Sequence, residues 1–224
     1  MKANATPVET LLSVAEKMFP NAGCELNFKT PFQLAVAVIL SAQTTDVAVN
    51  KVTPDLFRVY PDAATMATAE LSDLEYHLRS IGLYRNKAKS LLGLSQVLVE
   101  EYHGELPDDF DTLVKLPGIG RKTANVIVAV AFHQPGLAVD THVLRVTQRL
   151  GIVALSDDPV KAEHKLKRKI PQDRWSDAHH AILFFGRYHC TAKRPACLEC
   201  PLSSSCRYHQ KQQPIQKKRA ISSL

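Results

Sequence analysis

An all-α fold is predicted by three observations. Apolar residues recur at helical spacing through most of the chain, cap and stop residues punctuate those segments, and strand patterns are nearly absent. The elements follow in order. Pro7-Val8-Glu9 opens a first helix that carries Leu11, Leu12, Val14, Ala15 and Met18 to Phe19-Pro20. Thr30-Pro31 begins PFQLAVAVILSAQ, an apolar run of helix length with proline at its first position, as a buried helix allows. TTDVAVNKVTPDLFRVY continues with Val47, Val49, Val52 and Phe57, and Asp46 is expected to cap it. In LSDLEYHLRSIG the pair Ser72 and Glu75 predicts a capping box and Gly82 a stop. From Lys87 to Tyr102, Leu91, Leu92, Leu94, Val97 and Leu98 predict an amphipathic helix.

DFDTLVKLPGIGRKTANVIVAVAF reads as two helices around a tight Pro-Gly-Ile-Gly turn, the second starting near Arg121. THVLRVTQRLG is a short helix behind Asp140, ended by Gly151. DDPVKAEHKLKRKI and RWSDAHHAILFFGRYHC are the last two, and residues 213–224 are expected to be a disordered basic tail.

Hydrophobic residues at 45% and charged residues at 22% are ordinary globular values. The longest apolar run is too short to span a bilayer and no secretory pattern opens the chain, so a cytoplasmic protein is expected. The net charge of +6 is unevenly divided. Residues 1–112 carry 9 Lys and Arg against 15 Asp and Glu, and the remainder carries 19 against 7. A basic second half suits a polyanion partner or a solvated basic face. Of five cysteines, Cys190, Cys197, Cys200 and Cys206 fall within 17 residues, which in such a chain argues for metal rather than disulfides.

LPGIGRKTAN, residues 116–125, has the ingredients of a phosphate loop. A nucleotide cradle of the G-x-x-x-x-G-K-[ST] type is excluded, because Arg121 stands where its glycine belongs and the preceding segment is helical. What remains is a helix-hairpin-helix. Gly118 and Gly120 permit a turn too tight for side chains, and the next helix points its free N–H groups out of it. Such a turn holds a nucleic-acid phosphate through backbone atoms, or is simply a packed αα-hairpin. Lys122 sits in the first helical turn beside Arg121, where a like charge and the helix dipole disfavour the ammonium form. A lysine so placed is a candidate Schiff-base nucleophile, with an ordinary surface lysine as the alternative.

Together LPGIGRKTANVI, VDTHV (residues 139–143) and the cysteine loop resemble the endonuclease III family, the iron–sulfur helix-hairpin-helix DNA glycosylases. The resemblance covers the chain to about Cys206 and implies two helical domains flanking a DNA-binding cleft. One is expected over residues 24–134, the other over 1–23 plus 135–212. It implies a base-excision repair enzyme, a DNA N-glycosylase and abasic-site lyase that removes oxidised pyrimidines. Lys122 matches the family's nucleophile and Asp140 its essential carboxylate, although Asp140 also fits a helix N-cap. Gly118, Gly120 and Arg121 fall on the DNA-gripping hairpin. Gln43 and Leu83 match residues that fill the gap left by a flipped nucleotide, and Asp46 matches a lesion-pocket position. His142 lies within VDTHV, where DNA contact and packing are both open. The spacing C-x6-C-x2-C-x5-C matches the family's [4Fe–4S] loop, with zinc as the other reading. Double-stranded DNA bearing a damaged base or abasic site is the implied partner. The protein would act without a membrane, as a monomer, associated with the nucleoid in a prokaryote. Two alternatives stand beside this. An adenine-mismatch glycosylase of the same superfamily is disfavoured by Lys122, by the absence of an acid in PFQLAVAVIL and by the short C-terminus; a non-catalytic DNA-binding module needs neither Lys122 nor Asp140.

Overall fold

In the computed structural model, residues 5–212 are described, and they divide into two compact units. The basic tail expected over 213–224 lies outside the described residues. One unit runs over Cys24–Ala138, and the other joins the N-terminal segment up to Gly23 to the chain from Val139 onward. Among the described residues every regular element is helical.

The Cys24–Ala138 unit is built around α2 (Pro31–Leu40), in which every residue from Phe32 to Leu40 is buried. Thr30 caps it by accepting from Gln33 N. Gln33, the polar residue in this run, accepts from Lys29 N at 3.0 Å and donates to Pro61 O at 3.2 Å, so its burial leaves no orphan group. Against α2 lie α3 (Asp46–Val59), α6 (Tyr84–Tyr102) and α8 (Arg121–Ala131), while α4 (Ala63–Ala67) and α5 (Leu71–Leu78) pack on α6 and α7 (Phe110–Leu113) packs on α8. Leu56, Met66, Leu74, Leu78, Leu91, Leu94 and Leu98 meet in one core.

The second unit contains α1 (Val8–Met18), α9 (Thr141–Leu150), α10 (Pro159–Lys167) and α11 (Trp175–Phe184). A π-helical turn, Phe185–His189, continues α11 and delivers Cys190. The two chain segments are stitched by hydrogen bonds. Thr6 N donates to Leu150 O at 3.2 Å, its hydroxyl to Ser205 O at 3.1 Å, and Arg174 pairs with Glu9 and Glu16 of α1 at 2.8 and 2.7 Å.

Several sequence expectations are corrected. Thr45, not Asp46, caps α3, accepting from Ala48 N; Asp46 is the first helical residue. The Ser72–Glu75 capping box does not form. α5 begins at Leu71 behind Glu70, so Ser72 already lies in the first turn, two residues past the cap position. α4, unforeseen, is five residues long with Asp62 as its cap, too short to show a helical period. α6 starts at Tyr84 rather than Lys87, because Leu83 adopts a left-handed conformation and launches the helix directly.

The two hairpin glycines differ in kind. Gly118 has φ +77°, and a Cβ there would lie 2.8 Å from Ser90 Cβ of α6 and 3.3 Å from Ile39 Cδ1 of α2. Gly120 is extended, and a Cβ there meets nothing. Gly118→Ala is therefore expected to cost about 2–4 kcal/mol, the sum of left-handed strain and overpacking, whereas Gly120→Ala costs about 1 kcal/mol or less. Urea denaturation of both variants checks the contrast.

Candidate active site and thiol cavity

The hairpin is set by its flanks. α7 is one turn capped by Asp109, Leu116 O accepts from Ile119 N at 3.1 Å, and Gly120 opens α8. Gly120 offers no side chain to cap α8, so the first N–H groups of the helix face the open space before it. The two adjacent cations part company here. The Arg121 guanidinium lies over the Phe110 ring, 5.0 Å from its centroid, and so packs back onto its own hairpin. Lys122 is exposed and its amine makes no hydrogen bond or ion pair. Farther along α8, Asn125 locks the helix to the chain that returns behind it, donating to Arg121 O and accepting from Leu137 N.

Gln43 and Leu83 occupy two neighbouring loops of the same unit. Both are exposed, Leu83 at 52%, and both have positive φ, +54° and +59°. Among the described non-glycine residues only His103 and His133 share that region. An ordinary L-residue pays strain there. A Cβ on Gly82 would lie 4.0 Å from Gln43 O, so the backbones of the two loops run side by side. Asp46 stands three residues past Gln43, in the first turn of α3.

In the other unit, Asp140 caps α9. Its Oδ1 accepts from His142 N at 2.9 Å and from Val143 N at 2.8 Å, while Oδ2 carries no further bond. One carboxylate oxygen thus fixes the helix and the other is free. The His142 ring is engaged inside the unit: Nδ1 lies 3.2 Å from Arg145, the Gly186 backbone bonds to it, and burial lowers its pKa from the usual imidazole value.

The four clustered cysteines are free thiols lining one cavity with Leu150, Phe185, His189 and Tyr208. Arg149 clamps its entrance, donating to Cys190 Sγ at 3.3 Å, Cys190 O at 3.3 Å, Thr191 O at 2.8 Å and Ala192 O at 2.9 Å. Arg145 adds a bond to Cys190 O at 3.2 Å. Burial, reinforced by the neighbouring thiols, pushes Cys197 and Cys200 above the ordinary thiol pKa. Among the described residues no three His, Cys, Asp or Glu side chains close around a single ion. Thiols spread around a shared cavity suit a multi-atom cluster better than one tetrahedral zinc. His189 Nε2, buried beside this cavity, has no partner. The sequence reading missed Arg145 and Arg149. Their i, i+4 spacing on α9 was the available signal, since it puts both on one face.

An uncapped hairpin on one unit and a four-thiol cavity on the other define a helix-hairpin-helix iron–sulfur protein. Comparison with known proteins agrees. Residues 36–172 match the model of the HhH-GPD superfamily base excision DNA repair proteins, and residues 190–206, bounded by Cys190 and Cys206, match the iron–sulfur binding domain of endonuclease III. Endonuclease III of Bacillus subtilis is 52% identical over 93% of this chain and 95% of its own length. That of Synechocystis is 46% identical over 88% and 90%. A solved endonuclease III–DNA covalent intermediate superposes with TM-score 0.90 at 50% identity, covering 92% of this chain and 96% of that one. The chain belongs to the endonuclease III family, and it carries a [4Fe–4S] cluster.

The Arg149 clamp has a measurable consequence. Arg149→Met removes three bonds to carbonyls and one to sulfur, so chelator-driven bleaching of the cluster absorbance is expected to quicken about tenfold or more. Parent-like bleaching kinetics would show that the clamp does not secure the loop.

Proposed function

We propose that this chain removes oxidised pyrimidines from duplex DNA through Lys122 and then cuts the abasic strand by β-elimination. Family membership makes it a base-excision DNA repair enzyme, both N-glycosylase and abasic-site lyase. The observation that supports the role of Lys122 is its free, exposed amine in the first turn of α8, two residues past the open glycine of the hairpin. The neutral amine attacks C1′ of the damaged nucleotide. The bond to the base breaks, and the base leaves with its electron pair and takes up a proton. Loss of a proton from nitrogen and opening of the sugar give an imine. Removal of a C2′ proton then expels the 3′ phosphate, and water hydrolyses the imine to restore Lys122.

Asp140 supplies the carboxylate. Its free Oδ2 is suited to accept the proton released by the amine and to stabilise positive charge on the sugar, while Oδ1 keeps the helix cap. Backbone N–H groups at Gly118 and at Gly120 to Lys122 hold a phosphate of the strand, and Arg121 contributes to the positive field. Gln43 and Leu83 fill the space vacated by the flipped nucleotide, with Asp46 at the lesion pocket and His142 supporting Asp140 from within α9. Cys190, Cys197, Cys200 and Cys206 would hold the cluster, which would brace the loop through its bonds to their thiolates. The protein works as a monomer in the cytoplasm, on the nucleoid of a prokaryote. No described helix is long and apolar enough to cross a membrane.

Borohydride trapping on duplex DNA with one abasic site tests the nucleophile. The parent should form a stable cross-link and Lys122→Ala none; full-yield trapping by the alanine variant would assign the imine elsewhere. Asp140 has two roles that separate by substitution. Asp140→Asn keeps a cap acceptor and should leave stability within about 0.5 kcal/mol, yet cut single-turnover base excision by about 10²–10⁴-fold. Asp140→Ala should also lose about 1 kcal/mol of stability. Turnover of Asp140→Asn at the parental rate would reduce Asp140 to a cap. Duplexes carrying single oxidised pyrimidines, compared with an adenine mismatch, test the substrate class.

A further inference from the structure

Lys87 is a buried cation without a counter-ion. It lies in the first turn of α6, only 4% exposed, and forms no salt bridge. Its Nζ donates to Thr44 Oγ1 at 2.6 Å, and burial lowers the ammonium's pKa. Burying a charge with one neutral hydrogen-bond partner is unfavourable, and an unbranched apolar side chain would fill the same space without that cost. The ammonium's contribution must lie in what it holds.

Its two bonds reach both loops that carry the strained residues. The side chain grips Thr44, the residue after Gln43, and it does so from the first turn of α6, whose first i→i−4 backbone bond runs from Lys87 N to Leu83 O at 3.1 Å. The turn at Gln43 has its own local bonds, from Thr44 N to Ser41 O at 3.1 Å and from Ser41 Oγ to Val38 O at 2.8 Å. These fix the turn on itself and not against α6. Apart from Lys87, Thr44 Oγ1 has only a 3.5 Å contact with Ala42 O, at the limit of a hydrogen bond. We propose that Lys87 is a positioning residue that ties the Gln43 loop to the Leu83 loop, so that both side chains enter the duplex gap as one preset unit. The inference rests on the reading of Gln43 and Leu83 as gap-filling residues. Two left-handed residues fixed before encounter spare the complex the cost of ordering them upon binding.

The test uses the full-length holoprotein and two duplexes, one undamaged and one with a tetrahydrofuran abasic analogue opposite 2-aminopurine. Lys87→Met should keep its thermal midpoint at or above the parental value and keep its affinity for undamaged duplex. Its affinity for the analogue duplex should fall about tenfold or more, the scale of one charge-assisted hydrogen bond, and the 2-aminopurine signal should shrink. Thr44→Val should do the same, and the double variant should lose no more than either single one. Undiminished discrimination in Lys87→Met overturns the tether. So does an equal loss on both duplexes with a lowered midpoint, which marks a purely structural lysine, and so does additivity in the double variant. Gln43→Ala and Leu83→Ala separate the two layers. If they keep full discrimination, the gap-filling reading fails and the tether with it; if they lose it while Lys87→Met does not, the tether alone fails.

Discussion

The N–H groups at the start of every α-helix need an acceptor, and where this chain supplies one governs where its chemistry falls. Thr30, Thr45, Asp62, Asp109 and Asp158 each provide an oxygen to the helix behind them. Those helices are closed and inert at that end. α1, α5, α6, α8 and α11 begin without a side-chain cap, and among them α8 begins on Gly120, where a Cβ would meet only open space. Its dipole end therefore remains available to an anion, and Lys122 rides in that first turn. Asp140 shows the intermediate case, an acceptor that closes its helix with one oxygen and retains the other.

Rigidity around these groups comes from unrelated devices. Gly118 is wedged between Ser90 and Ile39, so the hairpin cannot shift without moving α6 and α2. Arg121 stacks on Phe110 and spans the turn from one helix to the other. In the second unit, Arg145 and Arg149 gather the Cys190 and Thr191 carbonyls, which follow the π-helical turn. Asp140 caps the same α9 that carries both arginines. One short helix thus holds the free carboxylate at its start and the cysteine-loop clamp along its length.

Much of this was legible in the sequence where two signals agreed. Asp140 followed by THVLRV gave a cap and an apolar period together, and α9 lies where they point. The hairpin glycines and the helix start at Arg121 were equally readable. Single signals did worse. Thr45 and Asp46 are both good caps, and only the three-dimensional path decides which one turns. Ser72 and Glu75 have the right spacing, but Ser72 falls two residues past the cap position at Glu70. The left-handed φ of Gln43 and Leu83 has no compositional trace, since nothing about glutamine or leucine announces it. Lys87 is more opaque still. A lysine at the start of an amphipathic helix reads as solvated, and its burial depends on a loop forty residues earlier that sequence distance hides.

The stitching of Thr6 to Leu150 and Ser205 bears on the order of synthesis. The Cys24–Ala138 unit is contiguous, so all its partners have left the ribosome once Ala138 has cleared the exit. The other unit cannot close so early, because α1 packs on α11, whose residues are made some 160 positions later. α1 must therefore wait, with its apolar face unsatisfied, until α11 arrives. The hairpin takes shape before Cys190 to Cys206 have emerged, so cluster assembly follows on a chain whose first contiguous unit has already folded.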